Sequence, residues 1–414
     1  MTVEQQKKDL KHNVLANIGD GAFFGFGVGF ASFTTVIPLF ISTLTSSATL
    51  IGLIPAIHNM GWQLPQLLLA KPIARMEKLK PFVLFMTINE RLPILGLAVV
   101  GFLLPRISVQ VALMLSFLLL IWQGLGAGFT ANAWQIMISK VIPPDFRATF
   151  FGMQSAAANL LASLGAFLAG LILSAVKPPH SYSIVFIIAS GLYVISWFSL
   201  RATREQPSII VKDEASEITL WKNILTIFRT DTTFRSFLIS RFVSQFGMMA
   251  FAFFTVYAVK KLGMNNLSVG VITSILMITQ VVANPLLGKL ADAWSRKRVL
   301  VLGSVVAAAS SLLAILIKDP AWFVLVFICS GIAGTAYWTI GLTLSLEFGE
   351  ESQRSTYVGM ANTLIAPATI FAPLLGGLLV DSLGYPVMFI TSAVFALGAT
   401  VVLLCLVRDP QVSQ

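Results

Sequence analysis

Two ionisable residues, Glu90 and Arg91, stand side by side inside an apolar stretch of this chain. A charge in an apolar membrane segment is costly, so it points to proton exchange, to binding of a charged solute, or to an ion pair. Residues 92–104 are too few to span a bilayer, which takes about 20. The helix must therefore include Phe82 to Arg91, placing Glu90 and Arg91 about 14 Å along it at ~1.5 Å per residue. Neighbours on a helix point ~100° apart, so these two cannot satisfy each other and each needs a partner on another helix. The plainer reading is a structural ion pair within one helical bundle. Asp20 and Arg241 pose the same question less sharply. Gly21–Leu44 and Phe242–Val259 can span without them, which allows both at the membrane edge. His58, with Asn59, Gln63 and Gln66 nearby, is a proton carrier or, more plainly, a hydrogen-bonded structural residue.

A second constellation lies between two apolar runs: Gly288, Asp292, Arg296, Lys297 and Arg298. Gly288 lets a neighbouring helix approach closely. Asp292 offers a carboxylate that can sit at a helix N-terminus, where free N–H groups and the dipole favour negative charge. The plain reading is a basic cluster that fixes orientation. Aromatic residues crowd several runs, among them Phe23, Phe24, Trp122, Trp134, Tyr337 and Trp338. They suit a cavity for a hydrophobic or amphipathic solute, or simply lipid-facing packing. Gly21, Gly25 and Gly29 make a ridge of small residues on one helix face. No nucleotide-binding loop, hydrolase triad or metal-ligand spacing stands out, so no cofactor is expected and the energy source is an ion gradient or the solute's own.

The elements that hold these residues follow from composition. Of 414 residues, 56% are hydrophobic and 11% charged. A soluble domain carries about 25% charged residues, so the chain is a membrane protein. The formal charge of +10 needs no nucleic-acid partner, because cytoplasmic loops collect Lys and Arg. Cys329 and Cys405 lie in apolar stretches and suit packing rather than disulfides. No cleaved signal peptide is read at the start. Runs long enough to span lie near 15–43, 48–70, 82–104, 109–138, 149–175, 182–200, 235–259, 267–288, 298–317, 321–346, 356–380 and 386–407. The polar stretch 201–234 divides them six and six, giving bundles 1–200 and 235–414. Within it, Ile218 to Phe228 has the spacing of a helix lying on the membrane surface. With both termini in the cytoplasm, 21 Lys and Arg fall inside, against Arg106, Lys177, Lys260, Lys261 and Lys318 outside. That bias sets the orientation.

The halves repeat each other. Gln66–Lys71 aligns with Asn284–Lys289, and Arg147-Ala-Thr-Phe-Phe-Gly152-Met153 aligns with Arg354-Ser-Thr-Tyr-Val-Gly359-Met360. With this repeat, the loop G-x-x-x-D-x-x-x-R-K-R resembles the signature of the major facilitator superfamily over the whole chain. Ser295 stands where the usual form has Gly, and in the first-half copy Ala74 replaces the Asp, with Glu77 a weak substitute. The resemblance implies an all-α fold of twelve membrane helices in two pseudo-symmetric bundles, working by alternating access. It implies that Asp292 closes a cytoplasmic gate at the start of helix 5 beside Arg147, with Arg354 its counterpart. It also makes Asp20 and Arg241 cavity candidates, since helices 1 and 7 line the cavity in that family. Ala372-Pro373-Leu-Leu-Gly376-Gly377 resembles an antiporter motif, and Gln123-Gly124 resembles the end of a drug-exporter motif whose arginine is replaced here by Leu120. The expected function is efflux of a small amphipathic solute by a monomer in the plasma (inner) membrane, with proton antiport as one way of driving it. The alternatives are nutrient uptake or facilitated diffusion, and a transport-dead sensor or scaffold.

Overall fold

The computed structural model describes residues 3–74, 76–143, 146–207, 226–345, 347–348, 357, 360–362 and 364–408. Arg354 and residues 208–225, which carry most of the expected surface helix, lie outside them. Within the described residues the chain is helical, without strands. The elements are α1 (Val3–Phe30), α2 (Val36–Leu44), α3 (Ala48–Ala74), α4 (Lys80–Leu103), α5 (Val109–Val141), α6 (Arg147–Ala175) and α7 (His180–Arg201). The second half continues with α8 (Thr232–Gly247), α9 (Phe254–Leu262), α10 (Asn266–Ala293), α11 (Arg296–Leu316), α12 (Val324–Thr335), α13 (Gly341–Ser345), α14 (Ala366–Leu383) and α15 (Tyr385–Leu406). The apolar runs fall on these helices, and 10 described helices are long and apolar enough to cross a membrane.

Two runs are broken at matching places. The first bends between α1 and α2, and the seventh passes through a 3-10 turn at Met249–Ala252 between α8 and α9. The tenth carries a π-helical turn at Ala336–Ile340, between α12 and α13. The first run also begins earlier than its apolar residues require. Its polar start is tied to the end of α7: Asp9 pairs with Arg204 at 2.7 Å, and Asn17 donates to Thr203 at 3.0 Å.

The described residues form two compact units. The first takes Met1–Ser46, Ile57–Lys212 and Asn265–Ile278; the second takes Ser47–Ala56, Asp213–Met264 and Thr279–Gln414. In the first, α1 packs on α6 and α7, and α4 on α5 and α7. There the start of α10 lies against α6, where Ser163 and Ser274 donate to each other's carbonyls at 3.2 and 2.6 Å. In the second, α15 packs on α8 and α11, and an aromatic cluster of Phe234, Phe237, Phe348 and Tyr357 fills one end.

Candidate functional site

The glycine ridge is what brings α1 deep into the first unit. A Cβ at Gly25 would lie 2.3 Å from the Ala158 carbonyl oxygen, and one at Gly29 would lie 2.2 Å from that of Ala162. Only bare backbone permits this contact with α6. Next to the ridge, Asp20 meets Arg91 of α4, with Oδ1 and Nη2 3.0 Å apart. Both residues are buried, at 5% and 8% exposure. Ser196 of α7 donates to the same carboxylate oxygen at 2.6 Å, and Arg91 Nη1 donates to the Tyr193 carbonyl at 3.3 Å. The guanidinium also lies over the Phe24 ring, 5.6 Å from its centre. Arg91 therefore has the cross-helix partner that its position demanded. Asp20 is thus level with Arg91, which stands midway along α4.

Glu90 points elsewhere. It lines a cavity of about 330 Å³ together with Asp20, Arg91, Trp62, Trp134 and Gln154. No described residue gives it a hydrogen bond or an ion pair. Close by, His58 shares a hydrogen bond with Gln123 at 3.1 Å and stacks on Phe33 at 4.3 Å. Those two candidates are thus brought together by α3 and α5. Leu120 is buried and apolar, so the guanidinium beside the first helix's acid comes from α4 instead.

In the second unit Arg241 is buried as well, at 6% exposure. Its Nη1 has no hydrogen-bond partner among the described residues, and the guanidinium lies 6.0 Å from the centre of the Phe237 ring. It also lies beside α13, where a Cβ at Gly341 would be 3.7 Å from its Nε, an ordinary contact distance. Tyr337 and Trp338 occupy the π turn, and they diverge: Tyr337 is buried, whereas Trp338 is 63% exposed. Turns of this kind recur at functional sites.

In the signature loop, the Asp292 side chain is 73% exposed and reaches Arg296 at 3.5 Å. Arg296 also pairs with Glu347. Ser295, in place of the usual Gly, caps α11 by accepting from the Arg298 N–H at 3.3 Å. Arg298 stacks on Trp294 at 5.6 Å, and Lys297 reaches the Leu404 carbonyl at 3.5 Å. Among the described residues nothing would lie within 4 Å of a Cβ at Gly288, so none of them makes the close approach expected there. Arg147 donates to the Ile142 carbonyl at 3.0 Å and to that of Ser139, clamping the end of α5.

Two carboxylates that sequence reading missed do what was expected of Asp292. Glu205 accepts from the N–H groups of Leu79 and Lys80 at 2.9 and 2.7 Å, at the start of α4, and pairs with Lys140 at 3.2 Å. Asp381 accepts from the N–H groups of Ala48 and Thr49 at 2.7 and 2.8 Å, and from the hydroxyls of Thr49 and Ser47 at 2.6 and 3.0 Å. Glu205 directly follows Arg204, so its sequence suggests a local pair instead, while Asp381 is a lone acid at the end of an apolar run.

Comparison with known proteins bears on this arrangement. The family model of the Major Facilitator Superfamily matches residues 89–257 and again 237–414. A curated relative, Multidrug resistance protein MdtL of Vibrio parahaemolyticus, is 23% identical over 127 residues. That match spans about a third of its length, 32%, and 31% of this chain. Among solved structures, the D-xylose-proton symporter superposes with a TM-score of 0.77 at 15% identity, covering 97% of this chain and 98% of its own. The nucleoside transporter NupG gives 0.73 at 13% identity, covering 95% and 99%. A bacterial homologue of the human lysosomal transporter Spinster gives 0.70 at 15% identity, covering 97% of each chain. At these identities the likeness concerns the fold.

Proposed function

Since the chain belongs to the major facilitator superfamily and is a multi-pass membrane transporter of that fold, we propose that it exports a small amphipathic solute by alternating access, driven by proton antiport. The observation that carries this reading is the first-unit cavity, in which a buried Asp20–Arg91 pair and the separate carboxylate of Glu90 meet aromatic walls. Ionisable groups held inside a transmembrane bundle mark solute paths and proton relays. The partial match to a protein named for multidrug resistance supports export of this kind of compound. The same reading divides the chain into bundles 1–200 and 235–414 joined by 201–234. It also takes the protein as a monomer of the plasma (inner) membrane; the Lys and Arg bias supports placing both termini in the cytoplasm.

The test uses membrane vesicles carrying the overproduced protein, with ethidium as the amphipathic probe. Inside-out vesicles with an acidified lumen should accumulate ethidium, and collapsing the pH gradient should release it. Accumulation only in right-side-out vesicles would replace export by uptake. Absence of any movement of ethidium in either orientation would overturn the export reading for this class of solute.

A further inference from the structure

We propose that Glu90 binds the positively charged head of the solute, so that the transported compound is a monovalent organic cation with an apolar body. This deepens the transport reading and rests on it. The charged side chains lining the first-unit cavity are Asp20, Glu90 and Arg91. Two of them cancel: Asp20 and Arg91 are 3.0 Å apart, and the Asp20 carboxylate is further occupied by Ser196 at 2.6 Å. Glu90 is left as the one unmatched charge on the wall, without a hydrogen bond or ion pair among the described residues.

A carboxylate in such a place is stabilised by a cation or by a proton, because an unpaired buried charge is very costly. An anion entering the cavity would face repulsion from Glu90, while the nearby guanidinium is already engaged. The remaining wall offers Phe24, Trp62 and Trp134. Aromatic faces attract cations, above all where water is excluded, and quaternary ammonium groups are held this way. The cavity's ~330 Å³ falls at the small end of the usual range for ligand pockets, which suits one compact ring with a charged head. Glu90 and the aromatic rings together define the recognition: charge from the carboxylate, the body from the rings.

The experiment compares two probes of one shape, benzyltrimethylammonium and its neutral carbon counterpart neopentylbenzene, on the purified full-length protein in detergent. The expected result is saturable binding of the ammonium compound, at least tenfold tighter than the neutral one. Glu90→Gln should lose at least tenfold in ammonium affinity and most of the discrimination, while Glu90→Asp retains part of both. Unchanged elution and unfolding midpoint show that the variants are folded. Equal binding of both probes by the wild type, no ammonium binding up to millimolar concentration, or unchanged affinity in Glu90→Gln each overturn the proposal. Loss in Asp20→Asn with none in Glu90→Gln would move the site to Asp20 and overturn it equally. Ammonium binding without ethidium export would sink the export reading alone, and ethidium export that Glu90→Gln leaves unchanged would sink this one alone.

Discussion

Asp381 holds Thr49 twice, accepting from its hydroxyl at 2.6 Å and from its backbone N–H at 2.8 Å. With Ala48 and Ser47 added, one carboxylate satisfies the free amides at the start of α3, a helix far away in sequence. Asp381→Asn keeps the size but removes the charge that the helix start favours. The contact is worth roughly 1–2 kcal/mol as a cap and dipole partner. The expected outcome is a lower unfolding midpoint in detergent and faster labelling of a Cys placed at Ser47. An unchanged midpoint and labelling rate would show that the contact contributes nothing.

Asp20 and Arg91 are a buried pair, so removing either partner strands the other. Asp20→Asn or Arg91→Met alone should destabilise by about 3–5 kcal/mol. The double variant, having no stranded charge, should recover most of the expression and thermal stability. Export should stay low in all three. The check is yield and unfolding midpoint across the four proteins, and a double variant no better than the singles would refute pairing as the cause.

Arg241 is a buried guanidinium whose Nη1 is unsatisfied among the described residues. Such a group costs stability, and a similar-sized apolar side chain is often neutral or stabilising. Arg241→Met should therefore keep or raise the unfolding midpoint and lower export. A large drop in midpoint would mean that the arginine is a structural anchor.

The latch expected of Asp292 predicts unequal loops. Among the described residues Asp292 is mostly exposed and pairs weakly with Arg296, so its loss should cost at most about 1 kcal/mol of stability. If Asp292 engages a helix start in another state, Asp292→Asn will cut export strongly with the midpoint unmoved, while Glu77→Gln does little. Export assays beside thermal melts decide this. Equal effects from the two variants would remove the latch.

The orientation rests on the Lys and Arg bias alone. A Cys placed at Lys261 or Lys318 should react with an impermeant reagent added to intact cells, and one at Lys297 should not. Labelling at Lys297 from outside would invert the topology.

The helices were legible because the bilayer demands about 20 apolar residues and apolar runs of that length are unambiguous. The Gly21, Gly25, Gly29 ridge was legible for a similar reason, since the spacing of four residues repeats on one helix face. Arg91's need for a partner followed from helix length. The partner's identity did not, because Asp20 stands 71 residues away and only the close packing of α1 on α6 and α7 brings it there. Asp292 was singled out by its loop, yet Glu205 and Asp381 do the capping in this structure. An acid that caps a distant helix leaves no periodic trace in its own segment. The turn at Ala336–Ile340 was equally silent, since its sequence is apolar like the helix around it.

That turn has a consequence for chain length. A π turn accommodates one residue more than an α-helix over the same path. The segment Gly341–Ser345 is therefore rotated by about 100° relative to an unbroken helix. On the segment so turned, Gly341 lies beside Arg241, and this register depends on residue count more than on residue type. Deleting any single residue between 336 and 340 would heal the helix and leave its hydropathy almost unchanged. It would nevertheless turn the face that now sets Gly341 beside Arg241 by the same angle. Conservative exchanges within this stretch should be tolerated far better than the loss of one residue from it.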